Sequence, residues 1–422
     1  MERKKIIRHS YFRLILAALA VAFFSALLAF TLKHITEYCE HFIAEFIARK
    51  YAALFIIAPT IGITAIYFLR KYFFRGRKNK GITEIYKTLD QRKDHLPFFK
   101  IPSHFINGFL TVIFGGSTGV EVSTVVATAT VGNAIYERDF SANLYKRELI
   151  CAGVTAGVAV LFVSPLAGWL FAVEVIARKK NLPVFVSCTV AALAAWAFIF
   201  LFEQERMFSQ QVEKWYWSAV PFFIILSSIG GVLSIYFTLL VTRMKKLFAN
   251  INNNFLRVNL GAVTVGLFIF FFPVLFGDSY HGLKELLQLS SLPLLTVLAL
   301  VLLKPLAASL TLGAGGDGGV FAPSIISGAL LGLAFATLCN NYLGMHLILF
   351  NFALVGAAAT LSASIYAPLT AIVLVSNLTH NGYELFLPLL FGSFVAKFVA
   401  QKILPYNVYT YDFYLQAQNI KA

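Results

Sequence analysis

Charged residues are scarce in this chain of 422 residues. Only 13% are Asp, Glu, Lys or Arg, and only 20 are acidic. An ordinary soluble domain carries nearly twice that charged fraction. The four cysteines lie far apart without a paired motif, and the eight histidines have no metal-ligand spacing. No nucleotide-binding glycine motif is present. We therefore predict no metal site and no cofactor.

Hydrophobic residues, by contrast, make up 59% of the chain. Apolar runs of roughly 20 residues, long enough to cross a bilayer, recur along it. They cover about residues 14–34, 51–69, 186–202, 218–242, 258–276 and 292–310. The composition therefore predicts an all-α integral membrane protein that crosses the bilayer several times.

Basic residues are concentrated in two segments, at 1–13 (MERKKIIRHSYFR) and at 70–80 (RKYFFRGRKNK). The positive-inside rule places both segments in the cytoplasm and predicts an outside loop over 35–50. The formal net charge of +15 has no basic helix or RNA-binding motif behind it. We therefore attribute the charge to bilayer topology and predict no nucleic-acid partner.

An internal repeat is the most informative pattern in the chain. GVEVSTVVATATVG (119–132) corresponds to GVFAPSIISGALLG (319–332), and both segments place glycines 13 residues apart. GVTAGVAVLFVSPLAGWLFAV (153–173) corresponds to GAAATLSASIYAPLTAIVLVS (356–376) at a similar offset. Apolar repeats interrupted by glycine and proline are typical of transporters with inverted halves and broken helices. We divide the chain into a basic terminus (1–13), two repeats (14–205 and 206–404) and a C-terminal pore-lining helix with its tail (405–422).

Glu121 is an acid among small and apolar residues, which is costly unless a specific interaction stabilises it. The glycines before it and before Phe321 predict helices that begin inside the membrane. Such helix ends present unsatisfied N–H groups and a positive dipole to an anion. Glu121 could therefore compete with a permeating anion and leave on protonation, which would make it a gate. Alternatively, it only caps its helix or pairs with a buried base.

Six segments occur in the order in which one known family has its motifs. They are KGITEI (80–85), GVEVSTV (119–125), SPLAGWLFAVEV (164–175), LTLGAGGDGGVFAPSIISGALLG (310–332), APLTAIVLV (367–375) and NVYT (407–410). The chain thus resembles the CLC family of chloride channels and chloride/proton exchangers, in the prokaryotic form without C-terminal CBS domains. The resemblance implies two inverted repeats with broken, re-entrant helices, a bacterial inner membrane, and a homodimer with one pore in each subunit.

The resemblance also implies a set of site residues. Glu121 takes the place of the external gating glutamate, and Tyr409 that of the tyrosine whose hydroxyl contacts the central anion. Tyr406 and Tyr411 are alternatives to Tyr409. The implied anion-binding positions are Lys80, Gly81, Gly119, Val120, Gly319, Val320, Phe321 and Tyr409.

Two positions depart from the family pattern. Val175 stands where exchangers carry an inner proton-accepting glutamate, and a valine cannot relay a proton. Lys80 stands in place of an anion-contacting serine or proline. Its ammonium could bind the anion tightly and slow its exit, because conduction requires weak binding. Alternatively, Lys80 points to the cytosol or pairs with Glu84 one turn along the helix.

These residues favour chloride permeation by a passive or weakly proton-coupled pathway that Glu121 gates. A chloride/proton antiporter is the alternative, and a fluoride exporter is a further one. An intramembrane enzyme would need a convergent nucleophile and base, but Ser123, Ser164 and Ser324 have no evident histidine partner. The chain is therefore predicted not to be an enzyme. A structural scaffold with a closed pore is the remaining alternative.

Overall fold

The computed structural model describes residues 2–77, 79–90, 96–139, 145–179, 181–203, 205–288 and 293–419. Seventeen α-helices lie within these ranges. The first nine are α1 (Glu2–Lys50), α2 (Leu54–Phe68), α3 (Ile82–Asp90), α4 (Lys100–Ile113), α5 (Glu121–Asp139), α6 (Lys146–Leu161), α7 (Pro165–Phe171), α8 (Leu182–Phe202) and α9 (Val220–Ala249). The others are α10 (Asn254–Phe271), α11 (Tyr280–Gln288), α12 (Leu294–Ala314), α13 (Phe321–Leu343), α14 (Leu349–Ile365), α15 (Pro368–Ser376), α16 (Phe386–Ile403) and α17 (Tyr411–Asn419).

Short elements complete the described chain. Two π-helical turns follow α2 and α7, at Leu69–Phe73 and Ala172–Ile176. The 3₁₀ turns are Trp217–Ala219, Pro273–Leu275 and Gly382–Leu385. Strands β1 (Phe208–Gln211) and β2 (Thr379–His380) form one parallel pair, a minor addition to an otherwise helical protein.

Eight helical segments in the described ranges are long and apolar enough to cross a membrane. They are His9–Lys50, Leu54–Phe73, Leu182–Phe202, Trp217–Ala249, Asn254–Phe271, Leu294–Ala314, Phe321–Leu343 and Gly382–Ile403. Each of the six spans predicted from the sequence overlaps one of these segments, and the prediction of a multi-pass membrane protein is confirmed. The last two were missed because glycine, proline and polar residues interrupt their apolar runs.

The predicted outside loop over 35–50 is wrong, since α1 continues unbroken to Lys50. Residues 35–50 contain no glycine or proline, and Arg49 pairs with Glu45 one turn earlier. Without a breaking residue, the helix extends beyond the apolar run. The basic head from Glu2 onward belongs to the same helix, so the predicted terminus is not a separate element.

The chain forms two compact units. The first contains Met1–His34, Asn79–Ile106 and Glu121–Glu205, and the second contains Ile35–Lys78, Asn107–Val120 and Arg206–Ala422. In the first unit, α5 and α8 pack on α6, while the 9–34 part of α1 contributes to the same apolar core. In the second unit, α13, α16 and α9 pack around α14, and α12 packs on α9 and α13.

The second glycine of each repeated motif lies at a helix crossing. A Cβ atom added at Gly132 would lie 2.2 Å from the carbonyl oxygen of Leu149, which links α5 to α6. A Cβ atom at Gly332 would lie 2.0 Å from the carbonyl oxygen of Phe352, which links α13 to α14 in the second unit. Small residues at such crossings let helix backbones approach closely. In both repeats, therefore, the first glycine of the motif precedes the start of a helix, and the glycine 13 residues later lies where that helix crosses the next one.

The second repeated pair contains broken helices, as predicted. Helix α6 ends at Leu161 and α7 begins at Pro165, and likewise α14 ends at Ile365 and α15 begins at Pro368. Proline suits the first turn of a helix, where its missing N–H group has no intrahelical partner. The two breaks therefore occur at corresponding positions of the repeat.

Candidate functional site

Glu121 is the first residue of α5, and its side chain is only 3% exposed. The helix therefore begins at the position predicted from the Gly119-Val120 pair. A carboxylate at a helix N-terminus meets the positive end of the helix dipole. Burial strengthens this interaction because solvent screens it less. The position suits a carboxyl group that takes up and releases a proton, or that competes with an anion for this helix end.

Gly81 lies close to the first turn of α5 within the first unit. It precedes α3 and adopts a φ of 64°, which favours glycine. A Cβ atom at Gly81 would lie 3.3 Å from Cγ1 of Val122, the neighbour of Glu121. The N-terminal end of α3 therefore reaches the N-terminal end of α5, and two of the predicted segments come together here.

Lys80 has an exposed side chain, and its predicted side-chain pair with Glu84 does not form. Instead, the backbone N–H of Lys80 donates a hydrogen bond to Oε1 of Glu84. The bond resembles that of a capping box, but it goes to the N–H one residue before the N-cap Gly81. Glu84 therefore secures the start of α3 and is not available as an ion-pair partner for the Lys80 ammonium.

The ion-pair partner of Glu84 is Lys100, which the sequence analysis missed. Nζ of Lys100 lies 2.9 Å from Oε2 and 3.1 Å from Oε1 of Glu84, and both residues are buried. Lys100 also donates to Oδ1 of Asn79, which accepts a second bond from Ser103 at 3.2 Å. This network fixes the segment that contains Lys80 and Gly81 at the N-terminal end of α3.

Val175 is buried, and Tyr86 donates a hydrogen bond to its carbonyl oxygen at 3.1 Å. Burial raises the pKa of the Tyr86 phenol, so this hydroxyl stays protonated and remains a donor. The valine noted in the sequence is therefore packed beside Tyr86, whose ring also contacts the guanidinium of Arg178. Neither group at this contact can accept and release a proton near neutral pH.

The loops that precede α5 and α13 are held together in the second unit. The N–H of Ser117 donates to Oγ1 of Thr311 (3.2 Å), and the N–H of Asp317 donates to Oγ1 of Thr111 (2.9 Å). We call this reciprocal pair of bonds the threonine clasp. Ser117 corresponds to Asp317 and Thr111 to Thr311, and the residues of each corresponding pair are 200 positions apart, the same offset as in the first repeated motif.

The turns next to the threonine clasp also correspond. The N–H of Gly116 donates to the carbonyl of Thr111 at 2.7 Å, and the N–H of Gly316 donates to that of Thr311 at 2.9 Å. At Gly318, an added Cβ atom would lie 3.1 Å from the carbonyl oxygen of Gly119. The second unit therefore brings the 116–119 and 316–319 loops into direct contact.

Helix α13 begins at Phe321, directly after Val320 and Gly319. Its start agrees with the predicted one, and Pro323 lies in the first turn. The first N–H groups of a helix have no acceptor within the helix. Together with the dipole, they can bind an anion at this end. The predicted anion-binding role of Gly319, Val320 and Phe321 stays a prediction.

Tyr409 is 5% exposed and lies in a turn just before α17. Oδ1 of Asn407 accepts hydrogen bonds from the N–H groups of Tyr409 and Thr410, each at 3.0 Å. The rings of Tyr406 and Tyr411 contact each other and are only partly buried. Burial therefore favours Tyr409 over its two neighbours as the pore tyrosine. The predicted C-terminal helix begins after this residue, and residues 420–422 lie outside the described range.

Each of the two loops joined by the threonine clasp, which we call the clasp loops, also contacts a basic side chain of the second unit. Lys304 is fully buried, and its Nζ donates to Oγ of Ser117 (2.9 Å), Oγ of Ser279 (2.7 Å) and the carbonyl of Gly277 (3.0 Å). Arg70 donates from Nη1 to the carbonyl of Gly315 at 2.8 Å. Neither Lys304 nor Arg70 was predicted from the sequence.

Two buried hydroxyls lie close to Glu121 in the sequence. Thr118 and Ser123 are both fully buried, and within the described ranges Oγ1 of Thr118 and Oγ of Ser123 have no hydrogen-bond partner. A buried hydroxyl without a partner is costly, so such groups usually bind water or a ligand. Among the described residues, no group of three or more His, Cys, Asp or Glu side chains could hold a metal ion.

Comparison with known proteins places this geometry in a family. The model of the family described as "Voltage gated chloride channel" matches residues 61–401. The H(+)/Cl(-) exchange transporter ClcA of Vibrio cholerae serotype O1 (strain M66-2) is 27% identical over 416 residues, which cover 94% of this chain and 86% of that protein. ClcA of Cronobacter sakazakii (strain ATCC BAA-894) is 28% identical over 349 residues, covering 79% and 74%.

Solved structures show the same fold. The slow cyanobacterial Cl-/H+ antiporter has a TM-score of 0.81 at 23% identity, covering 96% of this chain and 99% of that one. A CLC-type fluoride/proton antiporter has a TM-score of 0.76 at 20% identity, covering 94% and 96%. The predicted fold class is thereby confirmed. Since the family model matches most of its length, the chain belongs to the voltage-gated chloride channel (CLC) family of anion-transporting membrane proteins and is not an enzyme.

Proposed function

We propose that the protein exchanges chloride for protons across a membrane and that Glu121 carries the proton. The buried carboxyl group at the first residue of α5 is the observation that carries this proposal. Ionised, it occupies the positive helix end that an anion would otherwise take. Protonated, it loses its attraction to this end and can move aside. One group can therefore couple the movement of an anion to that of a proton.

The relatives support exchange rather than a passive pathway. Proteins named H(+)/Cl(-) exchange transporters align with 94% of this chain. Exchange therefore replaces the passive or weakly coupled pathway as the first interpretation. We further propose that the backbone amides of Val320 and Phe321 and the hydroxyl of Tyr409 hold the central anion, and that Gly81, Gly119, Val120 and Gly319 shape its path.

The cellular setting belongs to the same proposal. The ClcA relatives come from bacteria, and we therefore propose the bacterial inner membrane as the location. The basic head at residues 1–13 favours a cytoplasmic N-terminus. A homodimer with one pore in each subunit is the assembly that the family resemblance implies.

A passive anion pathway is the second candidate, and the buried Val175 favours it. A valine at the inner proton-accepting position leaves Glu121 without that relay to the cytoplasm. Under the first candidate, internal protons must reach Glu121 by another group or by water. Under the second, the carboxyl of Glu121 only opens and closes the path.

Purified protein in liposomes separates the two candidates. The vesicles carry an outward chloride gradient, valinomycin sets the voltage, and an electrode records the external pH. Exchange predicts proton movement against its own gradient, driven by chloride. Chloride release without proton movement would instead support the passive pathway.

The variant Glu121→Gln tests the gate itself. Glutamine mimics the protonated carboxyl but cannot release a proton, so proton movement should stop and chloride flux should become independent of pH. Glu45→Gln removes an exposed carboxyl from α1 and should leave both fluxes unchanged. Proton movement or pH-dependent flux that persists in Glu121→Gln would contradict the assignment of Glu121.

A further inference from the structure

The two clasp loops share one backbone arrangement but differ in charge. Ser117 and Asp317 hold corresponding positions, 200 residues apart, and each donates its N–H to the threonine in the helix that precedes the other loop. The side chain of Ser117 is neutral, whereas Asp317 has a carboxylate that is buried. A buried acid in a glycine-rich loop next to an anion path is unexpected, because it repels the transported ion.

Arg70 holds this carboxylate. Nη2 of Arg70 lies 3.9 Å from Oδ2 of Asp317, while Nη1 binds the carbonyl of Gly315 in the same loop. The side chains are 16% and 6% exposed, so solvent screens the pair only weakly. Asp317 therefore offsets the positive charge that Arg70 brings to this loop.

Asp317 is close to the proposed anion site along the chain. It precedes Val320 by three residues, so their Cα atoms are at most about 11 Å apart. At about 10 Å and an effective dielectric constant of about 20, one unit charge changes anion binding about tenfold. A change of this size matters for transport, since an anion that binds too tightly leaves slowly.

We propose that Asp317 determines the anion affinity of the site at the start of α13. By offsetting the charge of Arg70, it keeps anion binding weak enough for rapid release. This inference rests on the proposed function, because it requires an anion at the α13 amides. Under this proposal, Asp317 of the second repeat and its partner Arg70 help to determine the transport rate.

Two substitutions test the proposal by changing the charge on each side of the pair. Asp317→Ser introduces the residue found at the corresponding position of the first repeat and removes the acid. Isothermal titration of the purified variant with chloride should show binding about tenfold tighter than in the wild type, and liposome flux should slow. Arg70→Gln should weaken binding by a similar factor. The double variant should return close to the wild-type affinity.

Lys71→Gln is the matched control, since Lys71 is exposed and adjacent to Arg70. It removes the same charge and should leave the chloride affinity unchanged. A folded Asp317→Ser protein with wild-type affinity, beside an active wild type, would overturn the inference but not the proposed function. A wild type that neither binds nor transports chloride would overturn the proposed function, and this inference with it.

Discussion

Replacing Lys100 with methionine should destabilise the protein strongly, because it leaves Glu84 charged and buried. Glu84 and Lys100 are 4% and 5% exposed, and Nζ of Lys100 is within hydrogen-bond distance of both carboxylate oxygens. Removing one partner of a buried ion pair typically costs about 3–5 kcal/mol. Glu84 retains the backbone N–H of Lys80, which supplies only part of the lost stabilisation. We therefore expect a loss of about 3 kcal/mol in the free energy of unfolding.

A double-mutant cycle separates the interaction between Glu84 and Lys100 from the other effects of each substitution. The variant Glu84→Gln/Lys100→Met removes both charges and should recover most of the loss, because no uncompensated charge remains. Unfolding is followed by tryptophan fluorescence as a denaturing detergent is titrated into protein in mild micelles. The Glu45–Arg49 pair on α1 is the control, with side chains 44% and 77% exposed. Arg49→Met should cost no more than about 0.5 kcal/mol.

Two outcomes would contradict this expectation. If the double variant is as unstable as Lys100→Met, the loss does not come from an isolated charge on Glu84. The contribution of Lys100 would then come from its bond to Asn79 or from the packing of its aliphatic stem. If Lys100→Met is as stable as the wild type, the ion pair does not form in the folded protein.

The other two predictions concern Lys80 and Gly332. Lys80→Ser should change the chloride affinity less than threefold in the calorimetric assay, because the exposed ammonium is solvated and screened; a larger change would place it at the anion path. Gly332→Ala should cost about 3 kcal/mol in the detergent titration, since its Cβ atom would meet the backbone of Phe352 and force α13 away from α14. Unchanged stability there would mean that this helix crossing is looser than the structure has it.

The sequence predicted the helix starts because their signals are local. Gly-Val before Glu121 and before Phe321 marks both helices, and the structure starts α5 and α13 at these residues. Burial of Glu121 followed from the apolar composition around it. These features depend on a few neighbouring residues and on backbone geometry, which a single sequence displays directly.

The interactions that position the site were not predicted, since they join distant residues. Arg70 and Gly315 are 245 residues apart, and Lys100 is 16 residues from Glu84. Apolar pattern and motif spacing do not select such partners. The end of α1 was misjudged for another reason: the hydrophobic run ends before the helix does.

The threonine clasp, however, left a signal in the sequence. Residues 111–120 read TVIFGGSTGV and residues 311–320 read TLGAGGDGGV, and both contain a threonine four positions before two glycines. Extending the repeat ten residues toward the N-terminus of each segment would have aligned Thr111 with Thr311. The reciprocal bonds would still have required the structure.

The duplication explains how one backbone serves two chemical purposes. The clasp gives the loops before α5 and α13 the same turn and the same hydrogen bonds, so both helices begin in the same way. Side chains then separate the roles, because Glu121 corresponds to Phe321 and Ser117 to Asp317. A carboxyl at the first position gives that helix end a group that can bind a proton and compete with the anion. Under the proposed function, an apolar residue there leaves the corresponding helix end to the anion, and the acid four residues earlier is the group proposed to limit how tightly the anion binds.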